Sequence, residues 1–419
     1  MQKSFAAVLL LLTLHSPLQA QESELGKTVD GLLDYARSNN PDYATMRYEA
    51  DAAGERITPA GALPDPKFRV ELQDITKMGE QNASLDPRRV GSTKYTLMQD
   101  LPWYGKRDLK REIAELDAEG AQGRARGTWA ELAVRIKSAH AQLYYVNRNE
   151  QLAREILDLM VRLEKIAQVR YSGGLAAQQD AIRAQVEQTG MRNELIALEN
   201  ERTQLGARMN ALLARPMGSK LAMPEYLRPL PAPVKLDYAT LEERVRGRNP
   251  LLFAEETRIR SAEKSRELTY KNRYPDFTLA VSPVQIQSSI KEWELMLEFN
   301  IPLQQSSRRA MERESESMLS AARSRKDAAA NQILGELAEN LSGIEAARRT
   351  EMLTTTSLLP QAELSFKAAL SGYETGKIDF ATLLEAQRQI RQARQNQIKA
   401  QAEAQMRLAE IEKLLGEEL

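Results

Sequence analysis

Glu292, Glu294 and Glu298 stand at even positions of the run Glu292–Ile301. Apolar Trp293, Leu295, Leu297, Phe299 and Ile301 fill the positions between them. Successive side chains of an extended chain point to opposite faces, so the three carboxylates share one face. Glu71 has a similar place among Lys67, Arg69 and Gln73, opposite Phe68, Val70 and Leu72. Such carboxylates can solvate a wet surface or favour cations there. They are not a catalytic set: no Ser/His/Asp group, phosphate loop or supported carboxylate pair accompanies them. Cys is absent and the His count is 2. A disulfide, a thiolate nucleophile and a zinc–thiolate site are therefore excluded. His15 lies in the leader and His140 in a long helical run, and no Met-x-x-Met pair occurs. The expectation is a chain that is not an enzyme, with no cofactor and no metal ligands.

The remaining distinctive residues form a motif that occurs twice. Tyr171, Gly173 and Gly174 interrupt a helix-favouring stretch, and Tyr373 and Gly376 do the same about two hundred residues later. Glycine tolerates the left-handed backbone that a tight helix reversal needs. By composition alone each motif is a turn between helices.

These turns belong to a larger duplication. Arg37, Asn40 and Pro41 return as Arg246, Asn249 and Pro250, Pro66 and Phe68 as Pro275 and Phe277, and Leu101-Pro102 as Ile301-Pro302. The order is the same in both halves, which marks a tandem repeat. The reading is a leader over 1–20, a first repeat over 21–215, a Pro-rich linker over 216–235 and a second repeat over 236–419. Lys3, the apolar run Phe5–Leu14 and Leu18-Gln19-Ala20 have the layout of a secretory signal. That run is shorter than the roughly 20 residues a membrane helix needs.

Period-two alternation predicts strands at about 66–75, 92–101, 275–283 and 291–301. Proline-free stretches predict long helices over 103–170 and 303–372, with return helices over 175–214 and 377–415. Leu152, Ile156, Leu159, Leu163 and Ile166 keep the spacing of a coiled-coil seam. The fold class is thus mainly α, with four strands able to contribute to a membrane β-barrel. A soluble hairpin is the alternative for the strands alone. Three glutamates opposite an apolar face favour a wet lumen opposite lipid. Four strands cannot close a barrel, and open edges are not tolerated in lipid. Two copies would bring eight strands and three would bring twelve. Trp103 and Tyr104, where strand gives way to helix, suit an interfacial girdle or a packed helix start. Lys+Arg and Asp+Glu both number 58. That neutral balance provides no field for nucleic acid.

The order helix, two strands, long helix, Tyr-x-x-Gly turn and return helix, given twice, resembles the TolC-like outer membrane factor family. "RYSGGLAAQQDA" and "GYETGKIDFATLLEAQ" resemble its two periplasmic tips, and "DLPWYGKR" its heavy-metal efflux branch. That resemblance implies a homotrimer with a 12-stranded β-barrel in outer membrane lipid and an α-helical barrel in the periplasm. It implies docking of Tyr171, Gly173, Gly174, Tyr373 and Gly376 to a periplasmic adaptor, a membrane fusion protein. It also implies coupling to an inner-membrane pump of the proton-driven resistance-nodulation-division type. Acidic residues after the tips narrow the entrance in the family. Asp180 matches that place, and the second half has Thr382 followed by Glu385. A metal ion would pass this chain without tight binding. The alternatives are a duct for drug efflux or type I secretion, and a secreted coiled-coil scaffold.

Overall fold

The computed structural model describes residues 25–80 and 82–419, so the expected leader and His15 lie outside the described residues. The first repeat runs α1 (Val29–Asn39), α2 (Pro41–Glu55), α3 (Ile57–Gly61), β1 (Lys67–Gln73), β2 (Ser92–Leu101), α4 (Lys106–Ser172) and α5 (Gln178–Leu212). After the linker and a 3-10 turn at Pro233–Leu236, the second runs α6 (Tyr238–Arg248), α7 (Pro250–Lys271), β3 (Phe277–Ile286), β4 (Ser289–Phe299) and α8 (Gln305–Leu353). A π-helical turn at Thr354–Leu358, α9 (Leu359–Glu374) and α10 (Phe380–Leu415) complete it. The chain divides into a helical unit, of residues up to 45, 126–250 and 331–419, and a sheet unit, of 46–125 and 251–330.

In the helical unit the duplication is written in hydrogen bonds. Asn40 ends α1 and its Nδ2 donates to the Leu212 carbonyl at 2.8 Å. Asn249 ends α6 and its Nδ2 donates to the Leu414 carbonyl at 2.8 Å. Pro41 and Pro250 follow these residues and start new helices, where a missing N–H costs nothing. Leu152, Ile156 and Leu163 are buried, in one cluster with Met160, Leu383 and Leu384. A second cluster joins Leu32, Ile136, Leu143, Met209 and Leu213.

The expected unbroken helix over 303–372 is interrupted by the π turn. Pro360 has no N–H and its ring crowds the carbonyl of the preceding turn. A widened turn relieves that clash without ending the helix.

In the sheet unit the strands pair antiparallel in the order β1-β2-β3-β4. β1 is shorter than expected: Pro66 cannot donate to the ladder, and Asp74 turns left-handed with φ 52°. The β3–β4 hairpin is shifted relative to the expected bounds, ending in a tight turn at Gln287, φ 57°. A bulge separates Val284 from Gln285. Pro283 pairs with Trp293, at a gap in the β2–β3 ladder where no N–H is needed.

Candidate functional site

The two tips are built by the same hydrogen bonds. Leu175 N–H reaches back to the Arg170 carbonyl at 2.8 Å, and Gly174 N–H to Tyr171 at 2.9 Å. In the second tip Lys377 N–H donates to Gly372 at 2.8 Å and Gly376 N–H to Tyr373 at 3.0 Å. This six-to-one and five-to-two pair closes a helix on a left-handed residue. Gly174 (φ 71°) and Gly376 (φ 76°) supply it.

The side chains around the two turns differ. Tyr373 was expected on an exposed docking rim, but it is 1% exposed. Its ring lies 5.2 Å from Phe380 and its Oη donates to Asp180 Oδ2 at 3.2 Å. The Arg170 guanidinium sits 4.9 Å over the same ring. Arg170 also donates to the carbonyls of Leu175, at 3.2 Å, and Glu374. Burial, then the Asp180 charge, push the Tyr373 hydroxyl up to about 12. Tyr373 is thus the centre of a clasp between the second tip and the first. Tyr171, Gly173, Gly174 and Gly376 are exposed.

Of the expected gate residues, Asp180 faces Tyr373. Thr382 instead completes a helix cap: its N–H and Oγ1 donate to Asp379 Oδ1 at 2.9 and 2.6 Å. Those bonds hold the Asp379 carboxyl below its usual range. Glu385 is exposed and 4.0 Å from Arg388, which also pairs with Glu187. Among the described residues no hydrogen bond or ion pair joins Asp180 to Thr382 or Glu385. Arg170, Phe380 and Asp379 were missed in the sequence. Arg170 precedes Tyr171 where the other half has Gly372, and that mismatch was the only signal.

On the sheet, directly paired residues share a face. One face carries Phe68, Val70, Leu97, Leu279, Val281, Trp293, Leu295, Leu297 and Phe299, all exposed. Trp293 at 70% and Leu295 at 73% show how little covers it. The opposite face carries Glu71, Glu292, Glu294 and Glu298, as expected of a single polar face. That face is not purely acidic. Arg69 lies 3.3 Å from Glu71, and Lys94 pairs with Glu294. Lys67 meets Asp100 at 2.8 Å, and Thr96 and Ser282 share a bond of 2.9 Å. Among the described residues Glu292 and Glu298 have no ion pair.

At the strand-to-helix junction Trp103 stacks on Tyr274 at 5.0 Å and its backbone N–H donates to Asp276 Oδ1 at 2.7 Å. Lys106 Nζ donates to the same carboxylate at 2.8 Å. Trp103 is therefore a packed anchor, whereas Tyr104 is exposed. His140 is buried, and burial holds its imidazole below the usual range. Among the described residues no cluster of His, Asp and Glu could hold a metal ion. No described helix is long and apolar enough to cross a membrane.

The sheet unit thus has an exposed apolar face, and the helical unit a duplicated pair of helical hairpins. Residues 32–215 and 241–417 match the outer membrane efflux protein family. The chain belongs to that family. The cobalt-zinc-cadmium resistance protein CzcC of Cupriavidus metallidurans is 23% identical over 414 residues, 96% of this chain and 92% of that protein. The fold is shared with the outer membrane protein VceC of Vibrio cholerae. That match has a TM-score of 0.78, 15% identity and coverage of 93% of this chain and 96% of that one. It is shared with the outer-membrane channel OprN, at TM-score 0.76 and 18% identity, over 93% and 89% of the two chains. It is also shared with CusC, at TM-score 0.74 and 14% identity, over 97% and 95%.

Proposed function

We propose that this chain is the outer-membrane duct of a tripartite heavy-metal cation exporter and acts as a passive exit, not as a catalyst. The sheet carries the reading. Its apolar face is exposed, its β1 and β4 edges are unpaired among the described residues, and unpaired edges are not tolerated in lipid. Closure therefore needs further copies. Eight strands would fill their own interior with side chains, whereas twelve leave a lumen for the charged face. Three copies form the duct, with the helical hairpins in the periplasm.

The exposed parts of the tips dock a periplasmic adaptor, which connects the duct to a proton-driven pump of the inner membrane. The Arg170–Tyr373–Asp180 clasp holds the tips together until docking, and Glu385 adds negative charge nearby. The heavy-metal substrate class is supported by the likeness to the cobalt-zinc-cadmium resistance protein and by the junction Asp100–Arg107.

Deleting the gene and scoring growth tests the assignment. The expected result is hypersensitivity to zinc, cobalt, cadmium, copper or silver salts, restored by the wild-type chain. Hypersensitivity to antibiotics with unchanged metal tolerance would assign the duct to drug efflux. Recovery of the chain in the soluble periplasm without detergent would overturn the channel itself.

A further inference from the structure

The two tips share a backbone but not an environment. An offset of 202 residues takes Tyr171 to Tyr373, Gly174 to Gly376 and Ala214 to Gly416. The φ values agree at each glycine or alanine pair, 71° with 76° and 55° with 69°. Yet Tyr373 is 1% exposed and Leu384 5%, whereas their repeats Tyr171 and Ile182 are 49% and 50% exposed. The difference lies in what covers them. The first tip covers Tyr373 through Arg170 and Asp180. Among the described residues Tyr171 has no such cover.

We propose that Tyr171, Ile182 and Val186 are covered by the second tip of a neighbouring copy of this chain. The entrance ring then alternates two chemically different seams. This inference rests on the trimeric reading above. The relation that carries the first half onto the second, applied once more, carries the second half onto the next copy. Tyr171 of the next copy thereby meets Thr382 and Gly372, the repeats of Asp180 and Arg170.

The chemistry of the two seams follows from the residues. Within the chain, Glu187 pairs with Arg388, and Glu194 with Arg391 at 3.3 Å. The repeats of those four residues are Gln389, Val186, Asn396 and Thr189. No ionised side chain remains among them. The clasp is lost in the same way, with Thr382 in place of the carboxylate and Gly372 in place of the guanidinium. The seam within a chain is held by ion pairs and the clasp. The seam between chains lacks those ion pairs and the clasp and is held by burial of Tyr171, Ile182 and Val186. A small apolar patch with an aromatic anchor is the composition expected of a contact that desolvates on assembly.

The natural absence of Cys makes this measurable. Two double variants of the full chain are purified in detergent: Tyr171→Cys with Thr382→Cys, and Val186→Cys with Gln389→Cys. Each is treated with a short bismaleimide and run on a denaturing gel, with native mass measured in parallel. A third variant, Asp180→Cys with Tyr373→Cys, reports the seam within one chain. The expected result is dimer and trimer bands from the first two and a monomer band from the third. Either of the first two decides alone should the other fail to assemble. Monomer bands from particles of trimeric mass would overturn the seam assignment and leave the duct standing. Particles of single-chain mass from both variants and from the wild-type chain would overturn the trimer and the seam together.

Discussion

Removing one hydroxyl tests the clasp. Tyr373→Phe keeps the ring that packs on Phe380 beneath Arg170 and deletes only the donor to Asp180. A hydrogen bond to a charged group contributes about 1.5–3 kcal/mol. The 3.2 Å separation is long for a hydroxyl donor, so the low end applies, about 1.5 kcal/mol per protomer. That is a factor of about 10 in the balance between latched and released tips. Hydrogen exchange over 163–184 and 369–390 should therefore speed up by about that factor. The purified channel in a planar bilayer should spend more time conducting. Alkali should act in the same direction. The hydroxyl titrates higher in the folded chain, at about 12, than its usual 10. The stability it confers is complete below pH 10 and lost as pH rises toward 12. The phenylalanine variant should lack that loss. Wild-type exchange and conductance in Tyr373→Phe, with the alkaline loss intact, would refute the clasp.

Further outcomes are expected elsewhere. Ala214→Gly relieves a left-handed alanine (φ 55°) and should raise stability by about 0.5 kcal/mol in a thermal melt. Gly416→Ala should do the reverse, because its new Cβ would also sit 3.1 Å from Pro250. Lys137→Met removes a buried partner of Glu412, 2.7 Å away. Arg228 still reaches Glu412 at 2.9 Å, so the loss should be near the lower end for a broken buried pair, about 3 kcal/mol. Glu292→Gln with Glu298→Gln should reduce cation preference, read as a smaller reversal potential in a salt gradient. Glu294→Gln should change it less, because Lys94 already neutralises that carboxylate. Bonds from Arg244 hold the Glu417 carboxyl below its usual range, as Lys137 does for Glu418. The stability they confer is present above the ordinary glutamate range and lost as pH falls through the depressed values. Arg244→Ala should flatten the acid limb of a melting curve.

The legible parts were those in which residue type alone forces a backbone. Asn40-Pro41 and Asn249-Pro250 end and restart helices wherever they stand, and Gly174 and Gly376 occupy left-handed positions that most residues avoid. Alternation in Trp293–Phe299 assigned each side chain to a face before any partner strand was known. Less legible were features that depend on a long-range neighbour. The widened turn before Pro360 is a local strain whose resolution, π turn or break, depends on the packing of α9 against α10. The bulge after Val284 depends on β2 and β4 together.

By itself, then, the sequence determined a duplicated chain of strand pairs and long helices, two glycine reversals and a polar strand face opposite an apolar one. These follow from local sterics and from side-chain period, which need only near neighbours. The tertiary structure decided what the matching residues do. Two tyrosines at equivalent turns look alike in sequence. One is buried under Arg170 and bonded to Asp180, and the other is left in the open. The reason is that burial and ion pairing belong to pairs of surfaces, and the partner surface lies about two hundred residues away along the chain.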